Sequence, residues 1–435
     1  MELSVQRQFS SEPRAALVAT VILETSRIHW CNIVIVTAAF IAFFLKLAIA
    51  YNTFGTNDVA SFYMFAGSLR DHGLEWTYRN GVIFFSNFPV FNHPPLTAYY
   101  LELIETLSKT PFSRNCGLTF PFLLRFPGIV ADLISVFVVM RIRDTSLHRQ
   151  VPTWAILLFA LSPVSIMVSG FHGNTDPVMA MFLLLAGYMC LRGRPVWCGI
   201  FFAMSCQTKI IPLLLLPIVF LFWLHRRAAT RFVIPFVILS LTLWIEPLTR
   251  FPQLFFRNVF SYNGYWGSWG ISYLLKLTHW PQFNGGFFNL STAATFVAWI
   301  LKLAIICAVI AIAWRRRGLG DRAVIDSFAC AWIVFFVFAP GVCPQYMVWL
   351  APFVLLLSPK LYASLAVASS IALFFLYNAL SNGLPWYIGI ARNSADGASH
   401  FLPWELLPWI TLIVGMIAFW SKAFVTRSSV REQLA

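Results

Sequence analysis

The chain has 435 residues, of which 59% are hydrophobic and 11% charged, with a mean hydropathy of +0.73. A soluble globule carries roughly 25% charged residues, so this composition excludes one and calls for an integral membrane protein. The net charge of +14 does not point to nucleic acid, because the basic residues cap apolar runs: Arg141 and Arg143, Arg192 and Arg194, Arg226, Arg227 and Arg231, Arg315 to Arg317. That placement writes a positive-inside topology.

In chain order, Met1 to Trp30 carries Arg7, Arg14 and Arg27 but no short apolar core ending in small residues. It reads as a cytoplasmic N-terminal segment (1–30) before a retained start-transfer helix, Ile33 to Ala50, rather than as a cleaved signal peptide. A long first outward loop (51–119) follows, in which Val59 to Arg70 and Leu96 to Ser108 suit helices lying along the membrane interface. Phe120 to Met140 returns, Thr153 to Ser169 exits, and Asp176 to Leu191 returns. The run Val196 to Leu224 begins and ends beside arginines, but Gln207-Thr208-Lys209 interrupts it. At about 1.5 Å per residue its first arm, Val196 to Cys206, is too short to span, which predicts a broken hairpin. Phe232 to Pro247 exits, a second outward loop (248–289) follows, and Leu290 to Trp314 returns. Ala323 to Pro340, Gln345 to Leu357 and Leu361 to Leu380 alternate onward. A third outward loop (381–403), Trp404 to Trp420 and a cytoplasmic tail (422–435) complete the chain.

The expected fold is all-α: one polytopic integral membrane domain over 1–435, with about 12 membrane segments, two of them short. Both termini are expected in the cytoplasm, across a bacterial inner membrane or, in a eukaryote, the ER membrane. Long loops on one face place the work on that face. The absence of an internal repeat weighs against a repeat-built transporter. The 8 cysteines sit mostly in apolar runs as packing residues; Cys116 and Cys343 fall in outward segments, which leaves one disulfide open.

Ionisable groups in such a chain are costly and are usually kept for transport or chemistry. Asp58, in Gly55-Thr56-Asn57-Asp58, comes directly after the first apolar helix. A carboxylate there can take a proton from a hydroxyl that comes within about 3 Å; it also suits an N-cap for the helix from Val59, and the two uses are compatible. Asp176 follows a capping Thr175 and precedes a first-turn Pro177, so it serves either the positive helix end or a pocket completed with His172. Arg125 and Asp132 are two helical turns apart on one face, placed for structural ion pairs or, for Arg125, for a phosphate. Lys209 stands where a helix breaks at membrane depth, which is tolerated only against protein or water. It either snorkels or balances a leaving phosphate. Gln345 and Tyr346 open a helix whose N–H groups face outward, an anion-friendly arrangement or an ordinary capped turn. Tyr262, Asn263, Tyr265, Trp266, Trp269 and Trp280 crowd the second outward loop, more often an interfacial belt than a sugar-stacking surface.

Six stretches, in order, resemble the GT-C superfamily of membrane glycosyltransferases, in particular its polyprenol-phosphate-sugar-dependent, mannosyltransferase-like members. They are Asn57-Asp58; Phe91-Asn92-His93-Pro94-Pro95-Leu96; Leu124-Arg125-Phe126-Pro127 with Ala131-Asp132-Leu133; Phe171-His172-Gly173-Asn174-Thr175-Asp176-Pro177; Gln207-Thr208-Lys209 before Pro212; and Cys343-Pro344-Gln345-Tyr346 with Trp349 and Pro352. Each is weak alone, and their shared order and topology carry the likeness. The resemblance implies an inverting transfer of a hexose, mannose being commonest, from a polyprenyl-phosphate-sugar donor to a glycan, lipid or protein acceptor on the outer or lumenal face. It implies Asp58 as general base and Asp176 as the second catalytic acid. Asn57, His93, Arg125, His172, Lys209, Gln345 and Tyr346 would bind substrate. Many relatives carry paired acids where this chain has Asn57 before Asp58, which puts the partner acid in question. No cofactor and no metal centre are expected, although Asp58 and Asp176 could share a divalent cation such as Mg or Mn. The partners are membrane lipid and the two substrates, with no nucleic acid. The alternatives are a secondary transporter using Asp132, Asp176 and Arg125, or a non-catalytic component of envelope glycan assembly.

Overall fold

The computed structural model describes residues 12–81, 91–145, 151–260, 266–283, 290–381, 385–387 and 403–425. Every regular element longer than a single bridge among them is helical. The first helix, α1, runs Glu12–Asn52, so its backbone begins well before the apolar stretch that spans from Trp30. Six described helices are long and apolar enough to cross a bilayer: Trp30–Asn52, Phe120–Arg143, Thr153–His172, Ala229–Arg250, Thr292–Arg316 and Pro359–Leu380. Shorter apolar helices cover Asp176–Leu191, Ile211–His225, Met347–Leu357 and Pro403–Phe419.

Between the first two spans lie two long helices of the outward loop, α2 (Asn57–Asn80) and α3 (Pro95–Ser108), and one short helix, Pro111–Asn115. Gly73, at φ 81° and ψ 178°, breaks α2 into two helical pieces, a conformation that only glycine takes without strain. Val59, Phe62, Phe65, Ala66 and Leu69 recur at helical spacing on one face of α2. They pack against Ala98, Leu101 and Ile104 of α3 and against Phe120 and Leu124 of α4 (Phe120–Arg143), forming a small core apart from the main one. Glu105, buried on α3, draws Arg70 of α2 and Lys109 onto one carboxylate. Thr97 Oγ1 donates to the carbonyl of Thr208 at 3.0 Å, tying α3 to the point where the later hairpin breaks. This cap over the bundle end is what positions the site.

The third span is not a regular helix. α5 (Thr153–Ala160) stops before Pro163, and the chain then widens into a π segment, Ile166–His172, that ends at Gly173. Next come α6 (Asp176–Leu191) and α7 (Pro195–Thr208), packed together. Lys209 is extended at φ −148° and ψ 144°, and a 3-10 turn, Ile211–Leu215, leads into α8 (Leu216–His225). The predicted broken hairpin is therefore present. Its arms return to one basic end, where Arg226 pairs with Asp321 and His225 lies beside Gly318. The following α9 (Ala229–Arg250) meets α7 at backbone distance: a Cβ on Gly199 would sit 2.4 Å from the Phe232 carbonyl oxygen. The bundle closes with α10 (Thr292–Arg316), α11 (Arg322–Phe338), α12 (Met347–Leu357), α13 (Pro359–Leu380) and α14 (Leu406–Val425), whose apolar faces share the main core.

Candidate active site

Asp58 occupies the first turn of α2, but the cap belongs to Thr56. The Thr56 hydroxyl accepts the Asp58 N–H at 3.4 Å and donates to the His172 carbonyl at 2.8 Å. The Asp58 carboxylate is thereby released from capping. Its Oδ2 accepts from Asn174 Nδ2 at 2.7 Å, His172 Nε2 at 3.0 Å and Gln345 Nε2 at 3.3 Å. An ionised carboxylate only accepts, so His172 carries its proton on Nε2. The Asp58 side chain stays 31% exposed. Burial raises its pKa, but the charges of His172 and Lys209 and the hydrogen bonds from His172 and Asn174 outweigh that and hold it below the usual carboxylate value. At neutral pH it is a base.

His172 reaches Asp58 because the π segment advances it by the extra residue of a wide turn, a device frequent at functional sites. Gly173 then reverses the chain at φ 81° and ψ 74°. A Cβ there would lie 2.4 Å from Val59 Cγ2, so only glycine allows α2 to approach. Deeper in the bundle the same segment is clamped from two helices. Lys46 Nζ of α1 donates to Asp132 Oδ2 of α4 at 2.6 Å; Ser165 and Ser169, flanking the start of the π segment, donate to the same oxygen at 2.6 and 2.5 Å. Lys46 also reaches Ser165 Oγ at 2.6 Å.

Arg125 corrects both of its sequence readings. It is 1% exposed and pairs with no carboxylate among the described residues. Instead Nε donates to the Pro121 carbonyl at 2.9 Å, Nη1 to Thr53 Oγ1 and the Gly170 and Phe171 carbonyls at 3.0 to 3.1 Å, and Nη2 to the Ala50 and Thr53 carbonyls at 2.9 and 2.6 Å. A guanidinium has five N–H donors, and all are engaged, so none remains for a phosphate. Arg125 pins the end of α1 to the end of the π segment, directly beneath Asp58 and His172.

The second acid sits beside the first. Asp176 is fully buried, and its Oδ1 accepts from Trp349 Nε1 at 2.5 Å and from Lys209 Nζ at 2.7 Å. Thr175 does not cap the helix with its side chain; its N–H goes to Asn174 Oδ1 at 2.7 Å. Lys209 does not snorkel: at 9% exposure its ammonium lies 4.9 Å from the Tyr346 ring centroid and 5.5 Å from that of Trp349. Those two rings stack on one another at 3.8 Å. Aromatic faces and a carboxylate together make an enclosed cation site. His93 enters from the loop before α3, its ring against Phe62 and Phe91 and its carbonyl accepting from Tyr78 Oη at 2.6 Å. Burial and the Lys209 charge lower its pKa to about 3, against the opposing pull of Asp58. Asn57 stays half-buried beside Asp58.

The structure thus gathers Asp58, His172, Gln345, His93, Asp176, Lys209 and Tyr346 at one end of the bundle and leaves Arg125 below them. Sequence reasoning missed two members. Asn174 and Trp349 lay inside motifs already singled out, yet neither residue type advertises a contact to a carboxylate. In the second outward loop, Trp266 and Trp269 are buried and donate to the carbonyls of Phe283 and Phe336, while Trp280 is exposed. Tyr262, Asn263 and Tyr265 lie outside the described residues. Cys116 and Cys343 are both free thiols, so the disulfide left open is not formed. Among the described residues no group of three or more His, Cys, Asp or Glu is placed to hold a metal.

The sequence profile of glycosyltransferase family 87 matches residues 122–340, half of the chain. The chain belongs to glycosyltransferase family 87, which makes it an enzyme and sets aside the transporter and non-catalytic readings. No curated protein matches it. Among solved structures it is similar to the crystal structure of ArnT from Cupriavidus metallidurans bound to undecaprenyl phosphate. That similarity has 14% identity and a TM-score of 0.46, and covers 91% of this chain and 78% of that one.

Proposed function

We propose that the enzyme transfers a hexose, mannose by resemblance, from a polyprenyl-phosphate-sugar donor to a hydroxyl of a glycan, lipid or protein acceptor on the outer face, with inversion. The acceptor oxygen attacks the anomeric carbon and its proton passes to Asp58. The bond from that carbon to the phosphate oxygen breaks, and the phosphate leaves with the electron pair. The observation that carries this reading is a partly exposed carboxylate, kept ionised, in one cluster with a buried lysine. Base and counter-charge stand on the two sides of such a displacement. Lys209, already on Asp176, supplies positive charge for the departing phosphate, so no divalent cation is invoked. His172, Asn174 and Gln345 orient the base. His93, neutral, and Asn57 border it.

Two further features support the reading. An apolar groove of about 420 Å³, lined by Ile166, Met167, Phe374, Phe375 and Trp386 among others, runs between the π segment and α13. Trp386 contacts Phe171 beside His172 at 5.3 Å between ring centroids, so a prenyl chain in the groove would reach toward the site. Basic residues gather at the opposite end, where Arg143 bonds Asn32 at 2.5 Å and Arg316 pairs with Asp326 at 3.4 Å. That distribution favours a cytoplasmic position for that end and for both termini.

The test is incubation of membranes with a panel of prenyl-phosphate sugars, reading which donor is consumed. Asp58→Asn is expected to lower transfer by about 10²–10⁴-fold while leaving insertion intact. Transfer by that variant at the full rate would remove Asp58 as the base.

A further inference from the structure

Three buried polar atoms around the site have no hydrogen-bond partner among the described residues: His172 Nδ1, Asp176 Oδ2 and Tyr377 Oη. Tyr377, on α13, is fully buried and belongs to none of the motifs in the sequence. Its ring lies against that of His172 at 5.6 Å between centroids and also contacts Phe171. The charges of Asp58 and Asp176 both act on it. A buried polar group without a partner is destabilising and rare in native proteins. Fifteen such side-chain atoms occur among the described residues, and these three share one neighbourhood beside Asp58, where a single ligand would complete them together.

The chemistry of the three atoms defines what that is. With Nε2 donating to Asp58, His172 Nδ1 accepts when the ring is neutral and donates when it is charged. Asp176 Oδ2 is an acceptor, and the Tyr377 hydroxyl both donates and accepts. A polyol matches this set, because each of its hydroxyls donates one proton and accepts another. Asp58, bonded to His172, is 31% exposed and is the side of this neighbourhood open to solvent.

We propose that Tyr377 is a sugar-binding, specificity-determining residue, which with Asp176 Oδ2 and His172 Nδ1 holds hydroxyl groups of the hexose being transferred. The assignment rests on the glycosyl-transfer reading above and deepens it: the acid beside Lys209 serves the lysine with one oxygen and the sugar with the other.

Tyr377→Phe is the decisive variant, since it removes a hydroxyl that no described protein group uses. The purified full-length enzyme in detergent should unfold at the same or a slightly higher temperature than wild type. Its kcat/KM for the preferred prenyl-phosphate sugar should fall roughly 10-fold, the worth of one hydrogen bond. A series of donors each lacking one sugar hydroxyl then locates the contact. Wild type should reject one deoxy donor strongly, and Tyr377→Phe should lose that discrimination while keeping the others. Deoxy acceptors should show no such selective change. A selective change with a deoxy acceptor would move the pocket to the acceptor and overturn the proposal. So would a fall in unfolding temperature, which makes the hydroxyl structural, or unchanged kcat/KM and discrimination. Wild type inactive with every prenyl-phosphate sugar would instead sink the donor assignment; the unfolding measurement would still decide whether the hydroxyl serves the fold.

Discussion

Among the described residues the bundle holds two lysine–aspartate pairs of nearly equal length, and their surroundings differ. Lys46 and Asp132 meet at 2.6 Å in the middle of the bundle, and two serines turn their hydroxyls onto the same carboxylate oxygen. Every partner comes from three helices that pack there regardless. Lys209 and Asp176 meet at 2.7 Å at a break in a helix, beside the stacked rings of Tyr346 and Trp349, and one carboxylate oxygen has no hydrogen-bond partner among the described residues. Burying an ion pair costs desolvation in either place. Asp132 has three donors on one oxygen and is not among the carboxylates with a buried unpartnered atom, as suits a pair that belongs to the scaffold. Asp176 keeps a buried oxygen open, and on the reading proposed above its partner is a hydroxyl of the substrate.

That contrast can be broken most directly by removing Lys46. Lys46→Leu leaves Asp132 buried without its counter-charge and should cost about 3–5 kcal/mol, read as a lower unfolding temperature in detergent. The double variant Lys46→Leu with Asp132→Leu should recover most of that stability, since a well-packed apolar pair is often equivalent, and should recover transfer as well. The corresponding double replacement of Lys209 and Asp176 by leucine should recover stability only. Its turnover should stay about 10²–10³-fold down, the usual loss on removing an electrostatic stabiliser of the transition state. Equal recovery of activity at both positions would erase the distinction.

A smaller effect sharpens it. His93 faces the second pair, and its pKa of about 3 lies below the ordinary 6.5. The folded state therefore binds fewer protons than the unfolded chain in between. Its contribution to stability is whole above pH 6.5 and drains away as the pH falls toward 3. Unfolding temperature followed from pH 7 to pH 4 should decline less steeply for His93→Gln than for wild type. An identical slope would mean that the imidazole is not held neutral by burial and Lys209.

Much of this was legible in one dimension. The long spans, the broken hairpin at Lys209 and the helices on either side of His93 follow from hydropathy, proline positions and basic flanks, all of which are local. Asp58 and Lys209 could be singled out because a charge in an apolar chain is conspicuous wherever it falls. Which charge meets which could not be read. Asp132 sits two turns from Arg125, and that spacing suggests shared partners, yet it binds Lys46, Ser165 and Ser169 from two other stretches of chain. The π segment that brings His172 to Asp58 leaves no periodic trace, since the seven residues from Ile166 to His172 are too few to set a wide turn apart from an α one. Tyr377 was invisible as well: a tyrosine in an apolar helix looks like packing until its hydroxyl is seen to lack a partner.

Arg125 has a consequence for how this enzyme meets its lipid surroundings. One guanidinium grips the carbonyls that end α1 and those that end the π segment, so base and imidazole hang from a single rigid bracket. Bilayer thickness and lateral tension act on helix tilt, and any tilt carries both sides of that bracket together. A change of tilt therefore moves Asp58 and His172 as one unit.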